Sequence, residues 1–255
     1  MATYIIIILL AYLIGSVSFA IIFSKKFAGI DVREKGSGNA GSTNVLRTAG
    51  KKAGALTLLC DCLKGVLAVL IALIASAIVK GTDATLLVQL AGIFVVLGHT
   101  FPVFYEFKGG KGVATSLGVL LIMNWQIGLI CLVFALVLIA LTKMVSLGSI
   151  GAAILFPILA LFIHEHYIVS TGSYFVFALL LAAFVVFNHR ENVKRLLEGK
   201  ENKLSLKKEK EVKKNNENGN RNIKDKDKDK DTVDEKEKST SKKKKETKVK
   251  SKKEK

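Results

Sequence analysis

The chain has 255 residues, half of them hydrophobic, and 38 Lys and Arg against 21 Asp and Glu, for a net charge of +17. The apolar residues fall in long runs between Tyr4 and Asn188 and the rest is almost wholly polar, which excludes a soluble globular protein and places the chain in the multi-span membrane class. Cys60, Cys62 and Cys131 are odd in number and show no zinc-type spacing, so they read as buried reduced thiols.

In chain order, the apolar runs predict seven spans: Tyr4–Phe23, Ala53–Val79, Ala84–Phe104, Val113–Trp125, Ile127–Thr142, Val145–Ile163 and Ser173–Phe187. The fold class is all-α, a polytopic membrane helix bundle. The fourth run is short, so a re-entrant helix or one merged segment from Val113 to Thr142 is an alternative. Nothing basic precedes Tyr4 while Lys25 and Lys26 follow the first run, which reads as an uncleaved span with the N-terminus outside. With seven spans, nearly all the Lys and Arg residues collect in Ser24–Lys52, Tyr105–Gly112, Lys143–Met144 and everything after Asn188, on the cytoplasmic side, and the outside segments hold only Lys80 as a full cation. Merging the fourth and fifth runs would place the Lys-rich tail outside. The membrane domain is expected over 1–202. Residues 203–255 read as a disordered basic tail, too polar to offset the entropy of ordering. Lys is mixed there with Asp and Glu, and no nucleic-acid partner is expected.

Three polar segments carry the chemistry. The first runs Gly36-Ser37-Gly38-Asn39-Ala40-Gly41-Ser42-Thr43-Asn44, with Arg47 beyond it. Its glycines match a dinucleotide fingerprint in spacing but lack the strand-and-helix context. Backbone without Cβ still brings N–H groups close to an anion. Ser37, Asn39, Thr43 and Asn44 add neutral donors, and Arg47 adds a guanidinium fork. The second segment, Gly98 to Thr115, holds Lys108-Gly109-Gly110-Lys111-Gly112 ahead of a helix start. That is an anion site by loop geometry and helix dipole, though not a Walker loop. The aromatics Phe101, Phe104, Tyr105 and Phe107 suit the membrane interface. The third segment begins Asn188-His189-Arg190-Glu191-Asn192. A continuing helix would put His189, Asn192 and either Arg195 or Val193 on one face; the alternative is an ordinary basic helix end.

Other groups are less telling. Asp61 and Lys64 share one face of the second span and are expected to pair. His164-Glu165-His166 lacks a third ligand, so no metal site is expected. There is no G-x-S-x-G elbow and no credible Cys/His nucleophile.

The strings GSGNAGSTN, FPVFYEFKGGKGVAT and HRENVKRLLEGKE closely resemble the motifs of the bacterial acyl-phosphate:glycerol-3-phosphate acyltransferase family. The resemblance runs from about Tyr4 to Glu201, with Ser42 where the family often has Ala. It implies a seven-helix enzyme of the bacterial cytoplasmic membrane with its site at the cytoplasmic face. It implies transfer of an acyl group from acyl phosphate to the 1-hydroxyl of glycerol 3-phosphate, giving 1-acylglycerol 3-phosphate and phosphate, the first acylation of phospholipid synthesis. No cofactor is implied, and an acyl-phosphate-forming enzyme would act upstream. By resemblance Ser37, Lys111, His189 and Asn192 are the catalytic candidates. Binding is expected from Gly36, Gly38, Asn39, Thr43, Asn44, Arg47, His99, Lys108, Gly109, Gly110, Gly112 and Arg195, with the Gly109, Gly110 and Gly112 amides facing an anion. The hydroxyl proton is expected to go to His189 or to a substrate phosphate oxygen.

The residues agree with that chemistry. Two phosphate-bearing substrates need anion cradles, and an acyl phosphate already carries a good leaving group. The site must then supply alignment and charge neutralisation. An organic-phosphate transporter is the competing reading, but its site would lie near the membrane midplane rather than on one side. A membrane anchor would leave the loop motifs without a purpose.

Overall fold

The computed structural model describes residues 1–163 and 171–204. Among these, all regular structure is helical: α1 Ala2–Ser16, α2 Phe19–Ala28, α3 Ser42–Thr48, α4 Lys51–Ile78, α5 Ala84–Thr100, α6 Val113–Met123, α7 Trp125–Thr142, α8 Val145–Phe162, α9 Thr171–Asn188 and α10 Arg190–Leu197. His164-Glu165-His166 and the tail from 205 onward lie outside the described residues.

All seven expected apolar runs are helical, but they are not seven equal spans. Among the described residues five stretches are long and apolar enough to cross a membrane, and α9 with α10, bent by 62°, passes the same test when the pair is counted as one span. Helix α6 has 11 residues. It rises about 16 Å, roughly half of a ~30 Å hydrocarbon core, and cannot cross alone. The break before Trp125 is real: the Asn124 side chain caps α7 by accepting from the Ile127 amide at 3.1 Å.

The first span is broken, which the apolar run concealed. Helix α1 ends at Ser16 and α2 begins at Phe19. The break frees carbonyls at membrane depth, where they must find donors within the protein. Lys64 Nζ of α4 supplies them, donating to the carbonyls of Gly15 at 3.0 Å and Val17 at 2.9 Å. The same ammonium pairs with Asp61 at 2.9 Å. The expected Asp61–Lys64 pair therefore exists and also staples two helices.

Small residues set the helix spacing. A Cβ at Gly98 of α5 would strike the Tyr12 backbone of α1, and one at Gly118 of α6 would strike the Cys62 backbone of α4. Backbones touch at these crossings, the usual packing where lipid supplies no hydrophobic drive between helices. The core centres on Leu87, Val88, Ala91, Val95 and Val96 of α5, packed on Val119 and Met123 of α6 and Phe177 of α9. The outward faces stay apolar: Leu58, Leu67, Leu70 and Ile74 of α4 and Leu129, Val133 and Leu136 of α7 are exposed, as lipid-facing residues are. A separate small core of Ala20, Ile21, Val32, Val45 and Ala53 supports the first polar loop.

Candidate active site

Asn44 builds the first loop. Its Nδ2 donates to the carbonyls of Val32, Lys35 and Asn39 at 3.0, 2.9 and 3.1 Å, and its Oδ1 accepts from the Ser37 amide at 3.1 Å. The side chain is buried and wholly occupied by backbone, so its place is loop organiser rather than the free donor expected of it. Gly36 and Gly38 sit at positive φ of 61° and 72°, and a Cβ on Gly36 would strike the Asn44 side chain. This leaves Ser37 exposed on a pinned turn, with Asn39 and Thr43 half-buried beside it.

The second loop is held against the first. The Arg33 guanidinium donates twice to Asp31, at 3.1 and 2.9 Å, and once to the Tyr105 carbonyl at 3.1 Å. That guanidinium holds the Asp31 carboxyl below its ordinary range. The Ala40 amide donates to the Gly109 carbonyl at 3.3 Å. The Gly109 and Gly110 amides, however, donate to the carbonyls of Thr100 and His99, each at 3.1 Å. The expectation that these two amides face an anion is thus corrected. The glycines are needed because a Cβ at either would strike the end of α5, the His99 ring included. Gly112 remains at the start of α6 with φ of 85°.

His99 also departs from expectation. It is buried at the end of α5, with Nδ1 3.5 Å from Asp61. It belongs to the Asp61–Lys64 group inside the bundle. Lys108 is exposed and pairs with Glu106 at 3.3 Å.

The third segment breaks where the sequence suggested a continuing helix. The chain bends at His189, and α10 lies off the axis of α9. His189 Nδ1 lies 2.7 Å from the Val185 carbonyl. A carbonyl only accepts, so Nδ1 carries the proton and Nε2 is the free lone-pair nitrogen. Burial pushes the His189 pKa down to about 4, so the ring is neutral at physiological pH and a weak base.

The segments meet at Lys111 and Asn192. Lys111 Nζ donates to Asn192 Oδ1, and Asn192 Nδ2 donates to Glu201 Oε1 at 2.9 Å. Arg195 Nε donates to Glu201 Oε2 at 3.0 Å. Arg47 reaches the Asn202 carbonyl at 3.3 Å, which brings the first segment to the same place. Burial, and next the nearby Arg195 charge, push the Lys111 pKa down to about 8. Burial works to raise the Glu201 pKa, but the hydrogen bonds from Asn192 and Arg195 outweigh it and hold the carboxyl below its ordinary range. Glu201 was not among the residues expected to form the site. Glu201 closes the third motif string but lies beyond the helix expected there, so helical spacing gave it no place on the face of His189 and Asn192. The hydroxyls of Thr100 and Ser116, also unexpected, flank Gly112 and have no hydrogen-bond partner among the described residues.

A groove lies beside this group between α6, α7, α8 and α9, about 550 Å³ when the open space in front of it is included. Its walls include Val113 and Ser116, next to Gly112, and Val185, whose carbonyl holds His189. Aliphatic and aromatic side chains form nearly all of it. Through Gly112–Val113 and the Val185–His189 contact, the cationic and amide groups adjoin one end of an apolar slot. That arrangement suits a molecule with an anionic head and a hydrocarbon tail. Among the described residues no cluster of His, Cys, Asp and Glu is arranged to hold a metal ion.

Comparison with known proteins agrees with this geometry. The family model described as glycerol-3-phosphate acyltransferase matches residues 5–199. A glycerol-3-phosphate acyltransferase of Clostridioides difficile (strain 630) is 50% identical over 210 residues, 81% of this chain and 98% of that protein. One from Thermoanaerobacter sp. (strain X514) is 48% identical over 202 residues, 79% of this chain and 96% of that protein. The crystal structure of PlsY (YgiH), an integral membrane glycerol 3-phosphate acyltransferase, in its glycerol 3-phosphate form, superposes with a TM-score of 0.70 at 38% identity, covering 79% of this chain and 96% of that one. Its lysophosphatidic acid form gives 0.68 at the same identity, covering 79% and 95%. With the family model matched over residues 5–199 and a relative 50% identical over 81% of its length, this chain is an integral membrane enzyme that belongs to the glycerol-3-phosphate acyltransferase family.

Proposed function

We propose that the enzyme transfers a fatty acyl group from acyl phosphate to the 1-hydroxyl of glycerol 3-phosphate, at the cytoplasmic face of a bacterial cell membrane. The observation that carries this reading is the junction of the Lys111–Asn192–Arg195 group with the apolar groove. The groove takes the donor's hydrocarbon chain, and the cations hold the two phosphates at its mouth. In the step, the glycerol oxygen bonds to the acyl carbon and the bond from that carbon to the phosphate oxygen breaks. Phosphate leaves with the electron pair. Lys111 and Arg195 offset the charge that collects on the leaving group. Arg47 faces the same space from α3, and Ser37 contributes a hydroxyl from the pinned turn. His189 Nε2 accepts a hydrogen bond from the attacking hydroxyl and aims it. Because its basicity is low, the proton ends on a phosphate oxygen rather than on the imidazole.

A donor whose leaving group is already phosphate needs little acid catalysis, which fits a site of amides and cations with no triad. The product is 1-acylglycerol 3-phosphate. The donor must come from an enzyme that forms acyl phosphates.

The test is acylation by purified enzyme in lipid nanodiscs, with glycerol 3-phosphate and one donor at a time: palmitoyl phosphate, palmitoyl-CoA or palmitoyl-acyl-carrier protein. The expected outcome is product and inorganic phosphate in equal amounts from the first donor alone. Equal turnover from a thioester would refute the assigned donor.

A further inference from the structure

The groove has a floor as well as a mouth. Successive helices run in opposite senses, and the lining residues share that alternation. The stripe on α6 starts at Val113, beside the polar group, and ends at Leu120. The stripe on α8 runs from Ser149 to Phe156. On α9, which returns to the polar end, the deepest lining residue is Leu181. Phe156 therefore lies at the far end. It is buried, and it is backed by the rings of Tyr174 and Phe177, both edge-on at centroid distances of 5.8 and 6.2 Å. A ring wedged against two others does not swing aside readily.

The depth follows from the helices. Seven residues separate the two ends of the α6 stripe, as they do on α8, which corresponds to about 10 Å. One leaflet of a ~30 Å hydrocarbon core measures about 15 Å, so a membrane-length acyl chain is longer than the groove. The mouth is polar, so the reacting carbonyl cannot retreat to make room. The far end of the chain must then stop at Phe156 or turn outward between helices.

We infer that Phe156 sets the acyl-chain length the enzyme uses best, by closing the groove that receives the donor's hydrocarbon tail. The inference rests on the donor reading above for its occupant. Ala153, on the same stripe of α8, lies partway along and offers the opposite manipulation: a larger side chain there shortens the groove without opening a cavity.

The experiment is a chain-length profile of kcat/KM with decanoyl, dodecanoyl, tetradecanoyl and hexadecanoyl phosphate for wild type, Phe156→Leu, Phe156→Ala and Ala153→Phe. Each additional buried methylene corresponds to roughly a fourfold gain. The expected result is a rise of about fourfold or more in the hexadecanoyl-to-decanoyl ratio for the Phe156 variants and a fall for Ala153→Phe, with KM for glycerol 3-phosphate unchanged. Phe156→Leu keeps the test alive should Phe156→Ala not fold. Active variants with the wild-type profile would overturn the inference. If wild type instead used only a thioester, the donor reading would fail, and the same ratios measured with thioesters of those lengths would still decide the role of Phe156.

Discussion

Asn192 is a small residue with a large share of the site, because both ends of its amide are committed. Its oxygen accepts from Lys111 and its nitrogen donates to Glu201. Hydrogen bonds to charged groups are worth about 1.5–3 kcal/mol each. Asn192→Ala is therefore expected to lower kcat/KM by about 100-fold or more while the protein stays folded, as steady-state kinetics beside a thermal melt would show. Lys111 supplies a pH test. Its pKa of about 8 lies well below that of an ordinary lysine, so its charge is present below that pH and lost above it. The rate constant kcat/KM is expected to fall as pH rises through about 8. In Lys111→Arg, whose guanidinium stays protonated, that alkaline limb should move upward or vanish. An unchanged limb would show that some other group titrates there.

At the scale of elements, two buried polar devices shape the bundle. The break between α1 and α2 is tolerable because Lys64 satisfies the freed carbonyls, while Asp61 offsets the charge of Lys64. Removing one member of a buried pair strands the other, at a cost of about 3–5 kcal/mol. Lys64→Met should therefore unfold at markedly lower temperature in detergent. The double variant Asp61→Asn, Lys64→Met should recover much of the loss, since it strands no charge. The first polar loop depends in the same way on Asn44. Asn44→Ala is expected to destabilise by about 2 kcal/mol or more, summed over the hydrogen bonds it removes. The readouts are faster proteolysis within residues 30–41 and a higher KM for glycerol 3-phosphate. If cleavage there stayed as slow as in wild type, the loop would have another anchor.

At the scale of the molecule, three segments far apart in sequence share one end of the bundle. Ala40 meets Gly109, Lys111 meets Asn192 and Arg47 meets Asn202. In a chain with no other reactive cysteine, single cysteines at Ser37, Lys108 and Lys194 are expected to react with an impermeant maleimide only after cells are opened. One at Lys80 should react in intact cells. Labelling of the three loop positions from both sides would be incompatible with a common site.

Much of this was legible before any coordinates. Apolar run length marks membrane helices directly, because a spanning segment must hide its own backbone in hydrocarbon. The polar strings marked the chemistry because Asn, Lys and Arg are costly next to lipid and gather, with glycines that let backbone approach closely, where anions are handled. The break at Ser16–Phe19 was not legible, because an apolar run looks the same whether its helix is continuous or stapled by a lysine from another span. Nor was the fate of the Gly109 and Gly110 amides, which depends on where the end of α5 lies. Glu201 joined the site only once the chain folded back past α10. Sequence determined which segments are solvated by lipid and which by water, since that partition is a property of each segment alone. Tertiary structure decided which polar groups are consumed in holding loops and which remain to meet substrate, since a hydrogen bond needs both partners in place.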